Sequence, residues 1–142
     1  MIEWRENPRM TPAPFALTRF PVHLGLGATV EPLEEFDGTP AWYERYGAAH
    51  ASDGIEGRLV SFHTFGEPWT TWEMHPNGAE LVACVDGRIT LHQEIEGADR
   101  VVTLDAGQAI INPPGVWHTA DVAATASAFF ITAGAGTEIR AR

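Results

Sequence analysis

Cysteine is almost absent. Cys84 is the only one in 142 residues, so no intrachain disulfide can form and the fold must hold by packing alone, in keeping with a reducing compartment. Basic residues are scarce too: nine Lys and Arg stand against 19 Asp and Glu, a net charge of -10. That balance repels phosphate backbones and anionic lipid and argues against nucleic-acid and membrane-surface functions. No segment approaches the roughly 18 uninterrupted apolar residues of a membrane span, and the stretch from Met1 to Pro8 carries charges where a signal peptide needs an apolar run. A soluble, cytoplasmic protein is expected. Strand-helix-strand alternation is also missing, which speaks against a parallel sheet, and there is no internal repeat, charge block or low-complexity tract.

The chain has the length of one domain, enough to bury about two thirds of its unfolded surface. Its 14 glycines and 10 prolines imply many turns and short strands. Residues 1 to 22 hold Pro8, Pro12, Pro14 and Pro21, which remove backbone donors and predict an extended arm that buries Trp4, Phe15 and Phe20 elsewhere. Thr39-Pro40 reads as an N-cap followed by proline at the first helical position. Trp42, Tyr46 and Ala49 then fall on one face, predicting a short helix to about His50. From Gly57 the pattern changes to β-rich runs, predicting strands at 59–65, 70–75, 80–85, 88–95, 100–104, 108–111, 116–121 and 126–132. Turn residues such as Gly97-Ala98-Asp99 and Pro113-Pro114-Gly115 punctuate them. Residues 1–56 would be an arm and helix belonging to the same domain as a β-barrel over 57–142.

The stretch from Trp72 to Gly87 carries most of the chemistry. Asn77-Gly78 and Asp86-Gly87 suit tight hairpin turns and bound two short strands. Glu73 and His75 lie two apart, on one face of the first strand, and Glu80 opens the second. An imidazole and two carboxylates then come within reach of one point. Read the other way, Trp72 and Met74 are the core side of that strand, and Glu73 and His75 face solvent.

These residues resemble the cupin superfamily, small antiparallel jelly-roll barrels. Its first motif runs Gly-x5-His-x-His-x(3 or 4)-Glu-x6-Gly, and His75, Glu80 and Gly87 match its second histidine, its glutamate and its closing glycine. Its second motif runs Gly-x5-Pro-x-Gly-x2-His-x3-Asn, and Gly107, Pro113, Gly115 and His118 match the first four fixed positions. Glu73 stands where the first histidine belongs, Gly66 is one place early, and Val122 replaces the final asparagine. The resemblance implies an all-β, antiparallel jelly-roll β-barrel with the N-terminal arm and one short helix attached. It also implies that His75, Glu80 and His118 bind one divalent metal ion per chain.

Imidazole nitrogen with carboxylate oxygen suits Fe, Mn, Ni or Zn. Glu73 is either a fourth ligand or, standing beside the metal, a catalytic general base. The expected function is that of an enzyme acting on a small organic molecule, of dioxygenase, isomerase or lyase type. The alternative is a non-enzymatic sensor or storage module for a small-molecule ligand or metal. Among the other histidines, His92 falls on the polar side of its strand, the face of His63 is open, and His50 suits a helix C-terminus. Cys84 shares the parity of Glu80 and reads as a small buried hydrophobe. Arm exchange or sheet-edge pairing into a homodimer is expected of the family.

Overall fold

A computed structural model describes residues 13–142. Trp4, Pro8 and Pro12 of the expected arm lie outside the described residues. Among the described residues eleven strands form two antiparallel sheets: β1 (Val22–Gly25), β2 (Thr29–Pro32), β3 (Arg58–Phe65), β4 (Thr71–Met74), β5 (Glu80–Asp86), β6 (Arg88–Ile95), β7 (Ala98–Asp105), β8 (Ala109–Asn112), β9 (His118–Asp121), β10 (Ala126–Thr132) and β11 (Glu138–Ala141). One sheet runs β2-β1-β3-β10-β5-β8 and the other β11-β4-β9-β6-β7. The architecture is a jelly-roll of two sheets. Their inner faces share one core, with Val82, Cys84, Ala128 and Phe130 from the first sheet packed among Ile89, Leu91, Leu104 and Ala120 from the second.

Eight strands lie close to where alternation predicted them; β1, β2 and β11 were not foreseen. β1 pairs with β3, so part of the expected arm is a strand of the six-stranded sheet. Residues 13–20 ahead of it form a loop with a turn closed by Arg19 N and Phe20 N on Ala16 O.

The two glycine corners differ from expectation. β4 and β5 belong to different sheets, as do β5 and β6, so Asn77-Gly78 and Asp86-Gly87 cross between sheets and do not close hairpins. Gly87 has φ +74, and a Cβ there would lie 2.5 Å from Thr125 O. Gly78 has no such φ; its Cβ would meet that of Ala133 at 2.4 Å, so the missing side chain lets the β4–β5 corner pack against the segment that follows β10. A true hairpin turn sits at Glu96-Gly97, both with positive φ, where Ile95 faces Ala98.

Helix α1 (Pro40–Ala49) forms as its sequence predicts, with Thr39 Oγ1 accepting from Trp42 N. Trp42 is fully buried against Leu33 and Leu59. His50 donates its Nδ1–H to Tyr46 O at 2.9 Å, tying down a carbonyl of the last turn. His23, buried on β1, sits between Tyr46 Oη at 2.7 Å and Asp53 Oδ2 at 2.6 Å. Gly25 and Gly57 leave room for that pair, since a Cβ at either would press on the His23 ring. These bonds staple the helix to the six-stranded sheet. Among the described residues no helix is long and apolar enough to cross a membrane.

Candidate metal centre

The inner face of the jelly-roll carries the site. Trp72 points outward, its ring against the Arg140 guanidinium at 5.1 Å, and that guanidinium also lies 4.4 Å from the Trp117 ring. Glu73 and His75 therefore face inward, and the reading that put Trp72 and Met74 in the core is overturned. Glu73 stands opposite His118 in the β4–β9 register. Glu80 opens β5 opposite Thr132 of β10, on the face shared with buried Val82 and Cys84.

Loops set the two imidazoles. Gly115 N–H of the Pro113-Pro114-Gly115 turn donates to His75 O at 2.9 Å, which ties the approach to His118 onto the segment holding His75. On the other side, Asn77 Nδ2 donates to Ala135 O, and the turn around Gly134 presents Thr137. The Thr137 hydroxyl gives its single hydrogen to Gly134 O at 2.8 Å and so must accept from His75 Nδ1–H, 2.7 Å away. His118 Nδ1–H donates to Val116 O at 3.1 Å, a carbonyl that can only accept. In their neutral forms both rings are thereby fixed in the tautomer with a lone pair on Nε2.

Both lone pairs are aimed into the site. His75 Nε2 lies 3.2 Å from Glu80 Oε2, and His118 Nε2 lies 3.2 Å from Glu80 Oε1. Neither makes a hydrogen bond: a hydrogen on either Nε2 would not point squarely at its oxygen, and both nitrogens are buried without a partner. Among the described residues the only other such side-chain atom is Trp69 Nε1, packed beside Phe65 and Phe130. Glu73, His75 and His118 each offer a donor atom within 4.8 Å of the others, and Glu80 lies between the rings. Lone pairs facing a carboxylate in a dry interior repel unless positive charge sits between them. The donor set of two imidazole nitrogens and carboxylate oxygens suits a divalent cation.

Electrostatics agree with this crowding. Burial raises the Glu73 pKa, and Glu80 raises it further against the pull of His75 and His118. Burial acts the same way on Glu80, but contacts with His118 and His75 outweigh it and hold the carboxyl well below the usual range. For His118, burial disfavours the charged ring, and Glu80 more than reverses that, raising its pKa.

Helix α1 closes this end of the molecule. Its Trp42 packs on Leu59, which faces Thr132, which in turn faces Glu80. Tyr43 follows Trp42, its ring 5.6 Å from Phe36, and its phenol is pushed up to about 12 by burial and then by Glu73 and Glu80. His63 turns inward, 5.2 Å from Phe36 and 5.9 Å from Phe130, and burial lowers its pKa, so it is neutral near pH 7. Tyr46 is raised as well, by burial and then by Asp53 and Glu31. The chain has only these two tyrosines, so the native protein should show no ordinary tyrosine ionising near about pH 10. Absorbance at 295 nm should rise only well above about pH 10, Tyr43 ahead of Tyr46. A full tyrosine titrating near pH 10 would contradict this placement. Raised values also mean that stability from both phenols is intact below about pH 10 and is lost as pH climbs through the folded values.

The structure brings Glu73, His75, Glu80 and His118 together and leaves His92 outside, paired with Asp99 and Asp121 on the outer face. Cys84 is buried as expected, its thiol pKa raised by that burial. Sequence reasoning missed Thr132 and Asn112, set opposite Glu80 by inter-strand register, Thr137, set by the Gly134 turn, and Tyr43, set by how helix α1 docks; no local pattern encodes these placements.

A family model described as a cupin domain matches residues 64–134, half of the chain. No curated protein matches the sequence. Among solved structures, a cupin-2 domain containing protein from Shewanella frigidimarina is similar at 19% identity over 53% of this chain and 69% of that one, with a TM-score of 0.47. Hydroquinone 1,2-dioxygenase from Sphingomonas sp. TTNP3 is similar at 14% identity over 53% of this chain and 59% of that one, with a TM-score of 0.45. Oxalate oxidase in complex with glycolate is similar at 14% identity over 58% of this chain, with a TM-score of 0.50. The match spans 45% of the oxalate oxidase chain, and at this identity the likeness is one of fold.

Proposed function

The chain belongs to the cupin domain family, and from that premise we propose that it is a mononuclear metal enzyme acting on a small organic molecule. One observation carries the reading: two buried imidazoles, each fixed with its lone pair on Nε2, converge on the carboxylate of Glu80 with no partner of their own. In this reading His75, His118 and Glu80 hold one divalent ion, Fe, Mn, Ni or Zn. A dication held by two histidines and a carboxylate supplies Lewis acidity and open coordination positions for an oxygen-bearing ligand.

The chain's own residues do the rest. Thr137 and Val116 O hold the imidazoles in one tautomer, and Asn112 and Thr132 hold Glu80 by hydrogen bonds of 3.0 and 2.6 Å. Tyr43, Phe36 and His63 form a largely apolar wall at the helix side, suited to a compact, partly hydrophobic substrate. Glu73, raised by burial, is placed to take a proton from a bound substrate if it does not ligate. Glu73→Gln separates the roles. Metal retention at wild-type level with turnover lost by about a hundredfold or more is expected of a base; weakened retention would make it a ligand. Turnover is sought by following oxygen uptake and product formation with a panel of diketones, phenols, thiols and sugars. Tight binding without any turnover would overturn the enzymatic reading in favour of a binding module.

The homodimer expected of the family would form through the outer face of the six-stranded sheet, a reading its apolar rows support. Val60, Ile131, Leu81 and Ile111 form one apolar row across four strands, and Phe62, Phe129, Ala83 and Ala109 form the next. Ile111 on edge strand β8 is 59% exposed. Val60 is already buried within the chain; a second copy seated on this face would cover the rest of both rows and shield the edge. Light scattering should give a dimer for the wild type and a monomer for Phe129→Glu; a wild-type monomer at micromolar concentration would contradict the pairing.

A further inference from the structure

Glu80 is held by more than its neighbours in the site. Its Oε1 accepts from Asn112 Nδ2 at 3.0 Å. Asn112 Oδ1 accepts from Gln93 Nε2 at 2.8 Å, and the same Gln93 nitrogen donates to Ile111 O at 3.0 Å. Gln93 Oε1 accepts from Arg100 at 3.0 Å. Glu80, Asn112 and Gln93 are all nearly inaccessible, whereas Arg100 lies at the surface on β7.

Each member fixes the next because the ends allow only one orientation. Ile111 O can only accept and Arg100 can only donate, so the Gln93 amide has a single satisfied rotation. That rotation turns an N–H towards Asn112, which must answer with its oxygen. The Asn112 nitrogen is then left facing Glu80. Flipped, Asn112 would set a carbonyl oxygen against the carboxylate in a dry interior.

We propose that Gln93 and Asn112 are positioning residues that orient the Glu80 carboxylate through a relay anchored at Arg100. The proposal rests on the metal reading above for its consequence: Glu80 presents one oxygen to each imidazole because Asn112 holds Oε1 while Thr132 donates to Oε2. Among the described residues Gln93 hydrogen-bonds to neither Glu80 nor an imidazole. Gln93 also stands opposite His118 in the β6–β9 register, so its hydrogen-bonding influence on Glu80 passes through Asn112, while its bulk behind His118 is what Gln93→Met preserves.

The test uses the full chain and zinc(II) as the probe, with affinity measured by competition against a chromophoric chelator. Gln93→Met keeps the volume behind His118 and removes the amide. It should weaken zinc binding about tenfold, and Asn112→Leu by up to about a hundredfold. Acting in series, the double variant should bind no more weakly than Asn112→Leu alone. A merely structural Gln93 would lower the melting temperature and leave zinc affinity unchanged. Wild-type affinity in Gln93→Met, or losses that add in the double variant, would overturn the relay.

A second measurement needs no metal. In the metal-free protein the side-chain amide proton signals of Asn112 should shift in both Gln93→Met and Arg100→Met, and unmoved signals would overturn the relay. If those signals move while the wild type binds no zinc, iron, manganese or nickel, the relay stands and the metal reading falls.

Discussion

His118→Ala should give a folded protein whose metal affinity is lower by at least about a hundredfold, and His75→Ala should do the same. Each removes one of only two nitrogen donors in the site. The deletions are also separable from general damage. Both rings are held through Nδ1 by groups at the rim, Val116 O and Thr137 Oγ1, whereas the core between the sheets is built from Val82, Ile89, Leu91 and Phe130. Circular dichroism should therefore stay β-rich while elemental analysis falls from about one ion per chain to a trace. At a metal concentration 100 times the wild-type dissociation constant, binding linkage stabilises the wild type by about 2.7 kcal/mol, and neither variant should gain this. Equal metal content in wild type and both variants would show that any metal sits elsewhere.

Metal retention should fall steeply as the solution is acidified, and the metal-free protein should respond in the opposite sense. Burial alone would favour a neutral His118, but Glu80 raises its pKa above the ordinary value. A metal ion must therefore displace a proton held more tightly than usual. Below the raised value affinity should drop about tenfold per pH unit for that proton. For the metal-free fold, a raised pKa means stability that is fully present below about pH 6.5 and lost as pH rises through the folded value. The difference in melting temperature between loaded and metal-free protein should therefore widen from pH 6 to pH 8. Glu80, held low, adds stability that is present above the ordinary carboxylate range and lost only as pH falls through its depressed value. A gap independent of pH between 6 and 8 would mean that His118 neither titrates nor ligates.

Much of this site was legible because its donors lie on strands whose alternation shows in the sequence. Glu73 and His75 share a face by period two, Glu80 begins a run whose alternate residues are buried, and the Pro-Pro-Gly turn marks the approach to His118. Helix α1 was legible for the same local reason, its cap and proline being adjacent. What sequence could not show depends on which sheet a strand joins. Asn77-Gly78 signals a change of direction but not a crossing between sheets, and the need for glycine there comes from Ala133, far along the chain. β1 and β2 hide among prolines and glycines, and β11 alternates too weakly over Glu138–Ala141 to stand out from a loop. Thr137, Thr132 and Asn112 are ordinary polar residues until register sets them beside His75 and Glu80.

Anomalous diffraction from crystals grown with manganese or zinc at pH 8 tests the central claim most directly. A single anomalous peak per chain, about 2.0–2.2 Å from Nε2 of both His75 and His118 and in contact with Glu80, is the predicted result. Ordered imidazoles still 3.2 Å from Glu80, with no peak between them at saturating metal, would contradict it.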